Sequence, residues 1–179
     1  MSKSILLAVS GSISAYKAAD LTNRLTKLGY DVHVLMTKAA TDFITPLTLQ
    51  VLSKNIVHLD VMSEEDPKSV NHIELAKKAN LFILAPASAN TLAKLAHGLA
   101  DNMVTATALA LPAETPKLIA PAMNTKMYEN PLTQRNLSIL KEVGYEEIEP
   151  RSSLLACGDL GRGALAELDT IIEYIEKRL

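Results

Sequence analysis

Residue types able to move a proton or hold an anion fall in five short segments of the chain. The single cysteine, Cys157, stands in Ala156-Cys157-Gly158-Asp159-Leu160-Gly161-Arg162-Gly163. A thiol is a far stronger acid than a hydroxyl, so it can deliver a proton near neutral pH. Cysteines are usually buried and inert, and a glycine-rich run is an unusual place for that role. Three glycines within six residues suit a mobile loop or flap. His72 lies in Asn71-His72-Ile73-Glu74-Leu75. Imidazole titrates close to neutrality and serves as a base, although a lone histidine is more often a surface or structural residue than a catalytic one. No second histidine or cysteine stands near it at ligand spacing, so no metal site is expected.

The other three segments offer polar groups without strong acids. Ser10-Gly11-Ser12-Ile13-Ser14 follows an apolar run and precedes a helical pattern. Free N–H groups and a helix start there suit a phosphate, while a serine-capped turn is the plainer alternative. It lacks the G-x-G-x-x-G fingerprint of dinucleotide sites. The next apolar run ends in Met36-Thr37-Lys38, without the acid that holds the ribose of NAD. Lys38 leaves room for the extra phosphate of NADP. Pro86-Ala87-Ser88-Ala89-Asn90-Thr91 places hydroxyls and an amide where they can cap a helix or meet a heterocycle. Pro121-Ala122-Met123-Asn124-Thr125-Lys126-Met127-Tyr128 offers the Asn124 amide to a carboxylate. Met123 and Met127 suit either an apolar pocket wall or core filling.

These segments must be positioned by the elements between them. Residues 5–9, 32–36, 81–85 and 117–120 are short apolar runs that read as buried parallel strands. Short strands are also expected at 56–59 and, on an edge, at 146–148. Ala18, Leu21, Leu25 and Leu28 recur at helical spacing, with Gly29 as a stop. Further helices are expected over 46–52, 72–78, 91–99, 103–111, 131–143 and 168–179. Thr45-Pro46 and Asn130-Pro131 are capped starts, and residues 63–69 read as a surface loop. Alternating strands and helices predict an α/β fold, a parallel sheet with helices on both faces, in one domain over 1–179. In such sheets ligands bind beyond the carboxyl ends of the strands, which is where the segments above fall.

Net charge is −2 without a basic stripe, so nucleic acid is not an expected partner. No apolar run reaches the roughly 18 residues of a membrane span. The lone Cys157 forms no internal disulfide, and a reducing cytoplasmic setting is expected.

Taken together, the segments resemble the homo-oligomeric flavin-containing cysteine decarboxylases. The markers are Gly11-Ser12-Ile13-Ser14-Ala15, Asn71-His72-Ile73-Glu74-Leu75, residues 86–91, Pro121-Ala122-Met123-Asn124 and Ala156-Cys157-Gly158-Asp159. They run in order along the whole chain. The Cys157 segment resembles the branch that decarboxylates phosphopantothenoylcysteine. The peptidyl-cysteine branch typically lacks it, and the flavin prenyltransferases lack the His72 and Asn124 pair. Tyr128 stands where tryptophan is common. Leu154 and Leu165 replace an arginine and a methionine that touch substrate in plant relatives, so those contacts are not expected. Bifunctional members continue into a synthetase domain; a monofunctional form is expected here.

The resemblance implies a three-layer Rossmann-like, flavodoxin-like sheet binding FMN. Its holders would be Gly11, Ser12, Ile13, Thr37, Lys38, Ala39, Ser88, Ala89, Asn90, Thr91 and Ala122. FAD is not expected, since the Gly11 loop is the one phosphate cradle in view. His72 would be the base, Asn124 would hold the substrate carboxylate, and Cys157 would return a proton. The implied reaction takes 4′-phosphopantothenoyl-L-cysteine to 4′-phosphopantetheine in coenzyme A synthesis. Oxidation at Cβ gives a thioaldehyde, whose C=S group accepts the electrons left by CO₂, and the enethiol formed is then reduced. A homotrimer, or a dodecamer of trimers, is implied. Alternatives are a peptidyl-cysteine decarboxylase, an FMN- or NADP-dependent reductase, and a non-catalytic regulator. Regulatory relatives carry long acidic tails, and no such tail is present.

Overall fold

The computed structural model describes residues 2–64, 69–158 and 160–179. Most of the expected loop at 63–69, and Asp159 of the Cys157 segment, lie outside the described residues. β1 (Ser4–Val9), β2 (Asp31–Met36), β3 (Leu81–Ala87), β4 (Lys117–Pro121) and β5 (Tyr145–Glu147) form one sheet, ordered β2-β1-β3-β4-β5. Every pairing in it is parallel. All residues of β1 and β3 are buried. That is why both read as unbroken apolar runs rather than alternating ones.

Helices cover both faces. Ile5, Leu7 and Val9 of β1 pack toward α1 (Lys17–Lys27), α2 (Pro46–Ser53) and α8 (Leu168–Arg178). Leu6 and Ala8 turn to the other face. There α3 (Asn71–Lys78), α4 (Ala89–Ala96), α5 (Met103–Leu109) and α7 (Pro131–Glu142) supply Leu75, Leu92, Val104 and Leu137. This is the expected three-layer arrangement. Leu21 of α1 is 1% exposed, so truncation to alanine costs about 2–5 kcal/mol. Leu28, expected on the same apolar face, is 53% exposed, because α1 ends at Lys27 and Gly29 turns the chain at φ +91°.

Three local readings need correction. Residues 56–59 form no strand; His58 makes a single bridge to Leu35. Thr45 stands at the N-cap of α2, but its hydroxyl meets the Thr48 hydroxyl at 3.1 Å instead of capping the backbone. The glycine-rich segment is a built hairpin, not a loose loop: β6 (Arg151–Leu154) pairs antiparallel with β7 (Leu160–Ala164).

The strand order changes direction between β1 and β3. β1 leads outward to β2, whereas β3 leads the other way to β4. Their carboxyl ends therefore diverge into a crevice, where ligands of such folds bind. Ser10, fully buried, ties the two ends together. Its Oγ donates to the Pro86 carbonyl at 2.7 Å and accepts from the Ser88 N–H at 2.8 Å.

Candidate active site

A cavity of about 550 Å³ opens at this crevice, within the usual range for a small-molecule site. The β1 loop supplies Gly11, Ser12 and Ile13, the start of α4 supplies Ser88 and Ala89, and the end of β4 supplies Ala122 and Asn124. The hairpin closes it from the far side with Ser153, Leu154, Leu155, Ala156 and Cys157.

Gly11 is required by close approach. A Cβ there would lie 2.6 Å from Ala39 Cβ, so any side chain would push the β1 and β2 loops apart. Ser12 caps the 3-10 turn at Ile13–Tyr16, accepting from the Ser14 N–H at 3.3 Å and donating to the Ala122 carbonyl at 3.2 Å. The hydroxyl is thus engaged within the protein. The N–H groups of Gly11 and Ser12 donate to nothing among the described residues. Two unpartnered N–H groups on a loop lining a cavity fit an anion such as a flavin phosphate. Ser88 caps α4, accepting from the Thr91 N–H at 3.3 Å and donating to the Thr91 hydroxyl at 3.2 Å.

Several expected cofactor residues stand behind the lining. Thr37 caps a 3-10 turn at Lys38–Asp42 through the Ala40 N–H. Lys38 and Ala39 are exposed, with Ala39 against Gly11. Thr91 is buried beneath Ser88, and Asn90 is exposed. None of Thr37, Lys38, Ala39, Asn90 and Thr91 lines the cavity.

The hairpin seats on the segment after β4 through its glycines. The Gly163 carbonyl accepts from the Met123 N–H at 2.9 Å. A Cβ at Gly163 would lie 2.2 Å from the Met123 carbonyl oxygen, and one at Gly161 would lie 2.5 Å from Thr125 Oγ1. This seat brings Cys157 to Asn124. The Asn124 amide Nδ2 donates to Cys157 Sγ at 3.1 Å, while Oδ1 accepts from the Lys126 N–H at 2.9 Å. One oxygen is thereby used to cap the short helix α6 (Thr125–Tyr128), and the amide nitrogen is directed at the thiol. Cys157 itself is exposed.

Tyr128 locks α6 into the core. It is 4% exposed, and its hydroxyl donates to Glu147 Oε1 at 2.8 Å. Glu147 also meets Lys141 at 2.7 Å. Burial first, and the adjacent Glu147 carboxylate second, push the phenol up to about 12. Arg162 of β7 stands 5.4 Å from the ring centre and pairs with Glu149 at 2.5 Å, binding the hairpin to this corner.

His72 does not line the cavity. It opens α3, half-buried, and its Nδ1 is buried without a hydrogen-bond partner among the described residues. α3 runs antiparallel to the strands and ends beside Asn80, whose side chain accepts from the Ser4 N–H at the amino end of β1. Eight residues of helix span about 12 Å, which carries His72 back from the amino edge toward the carboxyl edge. Lining residues not singled out from the sequence include Tyr16, Arg151, Ser153 and Leu155. Each lies on the 3-10 turn or on the hairpin, neither of which has a periodic signature.

The family model described as Flavoprotein matches residues 1–179, and the chain belongs to that family. It is 71% identical over 179 residues, all of both chains, to the probable phosphopantothenoylcysteine decarboxylase of Streptococcus mutans. It is 47% identical over 175 residues to the coenzyme A biosynthesis bifunctional protein CoaBC of Bacillus subtilis, covering 98% of this chain and 43% of that protein. Among solved structures, a cysteine-to-serine mutant of PPC decarboxylase complexed with pantothenoylaminoethenethiol matches with TM-score 0.91 and 36% identity. The match covers 99% of this chain and 98% of that one. The FMN binding protein AtHal3 matches with TM-score 0.86 and 38% identity, over 99% and 96% of the two chains.

Proposed function

We propose that this chain is an FMN-dependent carboxy-lyase that converts 4′-phosphopantothenoyl-L-cysteine to 4′-phosphopantetheine in coenzyme A biosynthesis. The carrying observation is the Asn124 amide directed at the Cys157 thiol in the wall of a cavity that also holds the free N–H groups of Gly11 and Ser12. Relatives similar over the full chain are a probable phosphopantothenoylcysteine decarboxylase and an FMN binding protein.

Gly11 and Ser12 would hold the FMN phosphate, with Ser88, Ala89 and Ala122 around the ring system. When bound there, FMN would supply reversible hydride acceptance, so the reaction would have no net redox change. Asn124 Nδ2 holds the substrate carboxylate by a charge-assisted hydrogen bond. Leu154, Leu155 and Ala156 form the apolar wall beside it. Cys157 Sγ gives its proton to the enethiol carbon as that intermediate is reduced. His72 takes the substrate thiol proton in the oxidative half.

That last role needs His72 at the cavity, which a single copy does not provide. A neighbouring subunit supplies it in the trimer, or dodecamer of trimers, that we propose. Exposed apolar side chains at the carboxyl edge support close packing there: Ile13 at 58%, Tyr16 at 60% and Leu47 at 65%. Small residues of β3 do not, because Ala85 and Ala87 are buried inside the subunit. Among the described residues no helix is long and apolar enough to cross a membrane. The exposed thiol of Cys157, which forms no disulfide among the described residues, suits a reducing cytoplasm.

Incubation of the purified protein with the substrate should release CO₂ and 4′-phosphopantetheine without consuming pyridine nucleotide, and acid should release FMN. Recovery of FAD, or turnover that consumes NADPH, would overturn the proposal.

A further inference from the structure

We infer that Arg162 is a positioning residue that latches the hairpin over the reaction intermediate, and so decides whether the unsaturated thiol is reduced or escapes. This rests on the function proposed above, in which loss of CO₂ precedes the proton transfer from Cys157. An enethiol that leaves before that transfer carries its double bond away. The electron pair taken from the substrate then stays on the flavin, and dioxygen must accept it, giving hydrogen peroxide. A hairpin held down until reduction is complete avoids this loss.

The hairpin has little burial of its own to hold it closed. Gly163 is the one buried residue of β7, and Leu154 and Leu160, paired across the tip, are 70% and 82% exposed. Arg151 donates to the Leu165 carbonyl at 3.2 Å and pairs with Glu167 at 3.0 Å, which joins the two feet of the hairpin to each other. Arg162 reaches across to the body instead. Its guanidinium carbon stands 5.4 Å from the centre of the Tyr128 ring, and Nη2 donates to Glu149 Oε2 at 2.5 Å. A guanidinium over an aromatic face at this range is attracted by the ring's quadrupole. Both partners are firmly held. The Tyr128 hydroxyl is bound to Glu147, and the Gln134 amide donates to the Tyr128 carbonyl at 2.7 Å. Glu149 follows Ile148, whose N–H donates to the Ile119 carbonyl of β4 at 2.8 Å.

Placement ties this contact to the chemistry. α6 is a single turn, in which the Tyr128 N–H donates to the Asn124 carbonyl at 2.9 Å. The hairpin meets that turn at both ends, Cys157 at Asn124 and Arg162 at Tyr128, with Gly161 against Thr125 between them. Lifting the hairpin breaks these contacts together and opens the cavity wall of Leu154, Leu155 and Ala156. Asn124 stays where α6 holds it. Loss of Arg162 should therefore spare decarboxylation and release its product too early.

The test compares the flavin-loaded wild type with Arg162→Gln and Arg162→Lys in single turnovers of phosphopantothenoylcysteine in air. A cation–π contact and an exposed ion pair together shift a closing equilibrium about 3- to 30-fold. In Arg162→Gln the ratio of unsaturated to saturated thiol, read by mass spectrometry, should rise by that factor, with an equal amount of hydrogen peroxide. The rate of CO₂ release should not change. Arg162→Lys keeps a cation over the ring and should stay within about 3-fold of the wild-type ratio. Independently of turnover, hydrogen exchange at the Met123 N–H, which the Gly163 carbonyl now protects, should quicken by the same factor as the product ratio. An unchanged product ratio, CO₂ release that falls in step with saturated product, or a raised ratio without faster exchange at Met123 would each overturn the latch. A wild type that releases no CO₂ would overturn the proposed function, and the exchange rates would then decide separately whether Arg162 holds the hairpin down.

Discussion

Replacing Gly163 by alanine tests whether the hairpin seat controls both stability and chemistry. The added Cβ would start 2.2 Å from the Met123 carbonyl oxygen, 3.3 Å from the Thr125 nitrogen and 3.4 Å from the Asn124 carbonyl carbon, at a backbone φ of +152°. These are main-chain atoms, which cannot swing aside as a side-chain end would. Relief to ordinary contact requires the hairpin to lift by roughly 1 Å, stretching the 2.9 Å bond from the Met123 N–H to the Gly163 carbonyl. Overpacking of this kind costs about 1–3 kcal/mol. For a chain of 179 residues that is a fall in Tm of roughly 2–12 °C. The same lift separates Cys157 from Asn124, now 3.1 Å apart. A misplacement of about 1 Å costs on the order of 100-fold in kcat. Thermal unfolding of the flavin-loaded protein and steady-state CO₂ release measure the two effects. A variant that melts with the wild type at undiminished kcat would refute the seat. One that is destabilised but fully active would refute its link to the Asn124–Cys157 pair.

Cys157→Ser should still release CO₂ but stall before reduction, giving a product lighter by a pair of hydrogens in mass spectrometry, whereas His72→Asn should release no CO₂. Normal turnover of Cys157→Ser to the saturated thiol would make Cys157 structural. Co-assembled His72→Asn and Cys157→Ser subunits, mixed equally, should regain about a quarter of wild-type sites if His72 crosses a subunit boundary; activity that stays at the level of the separate variants would place His72 within its own subunit's site. Burial pushes the Tyr145 phenol up to about 12. The unfolded phenol ionises near pH 10, so this contribution to stability is complete below pH 10 and is lost as pH rises toward 12. Tyr145→Phe should therefore flatten the fall in unfolding free energy across that window by about 3 kcal/mol. An unchanged slope in chemical denaturation would show that Tyr145 does not carry it.

The strands were legible because burial on both faces leaves an unbroken apolar run, as at Ile5, Leu6, Leu7, Ala8 and Val9. Helix limits followed from local chemistry, such as the Asn130 side chain accepting from the Leu132 N–H and Gly144 turning at φ +91°. The hairpin was not legible. Its strand Leu160–Ala164 contains two glycines and no β-branched residue, and what orders it is contact with residues some forty positions earlier in the chain. Residues 56–59 show the reverse: Ile56 and Val57 favour a strand, yet only a lone bridge forms, in which the His58 carbonyl accepts from the Met36 N–H and the His58 N–H donates to the Val34 carbonyl. The separation of His72 from the cavity was also invisible, since sequence order says which edge a helix starts on and not which neighbour its side chain meets.

Serines at the crevice show how a residue type read as polar machinery can have its hydroxyl engaged within the protein. Ser10, Ser12 and Ser88 stand at the three strand or loop ends around the cavity, where hydroxyls suggest donors to a ligand. Each donor is already used. Ser10 donates to Pro86, Ser12 to Ala122 and Ser88 to Thr91, and each also accepts from a backbone N–H. These bonds join β1 to β3, β1 to β4 and the start of α4 to its own first turn. A buried hydroxyl that donates once and accepts once is close to satisfied, so turning toward a ligand would strand its present partners at about 1–3 kcal/mol each. The groups left over are backbone N–H groups of Gly11 and Ser12, fixed in direction by the same serine bonds. A donor that cannot rotate needs no ordering when the anion arrives, which favours tight binding. The serines thus act on the cofactor by holding the main chain still. Replacing Ser10 with alanine should weaken FMN binding although Ser10 touches no ligand, and retention of full FMN affinity in that variant would break this account.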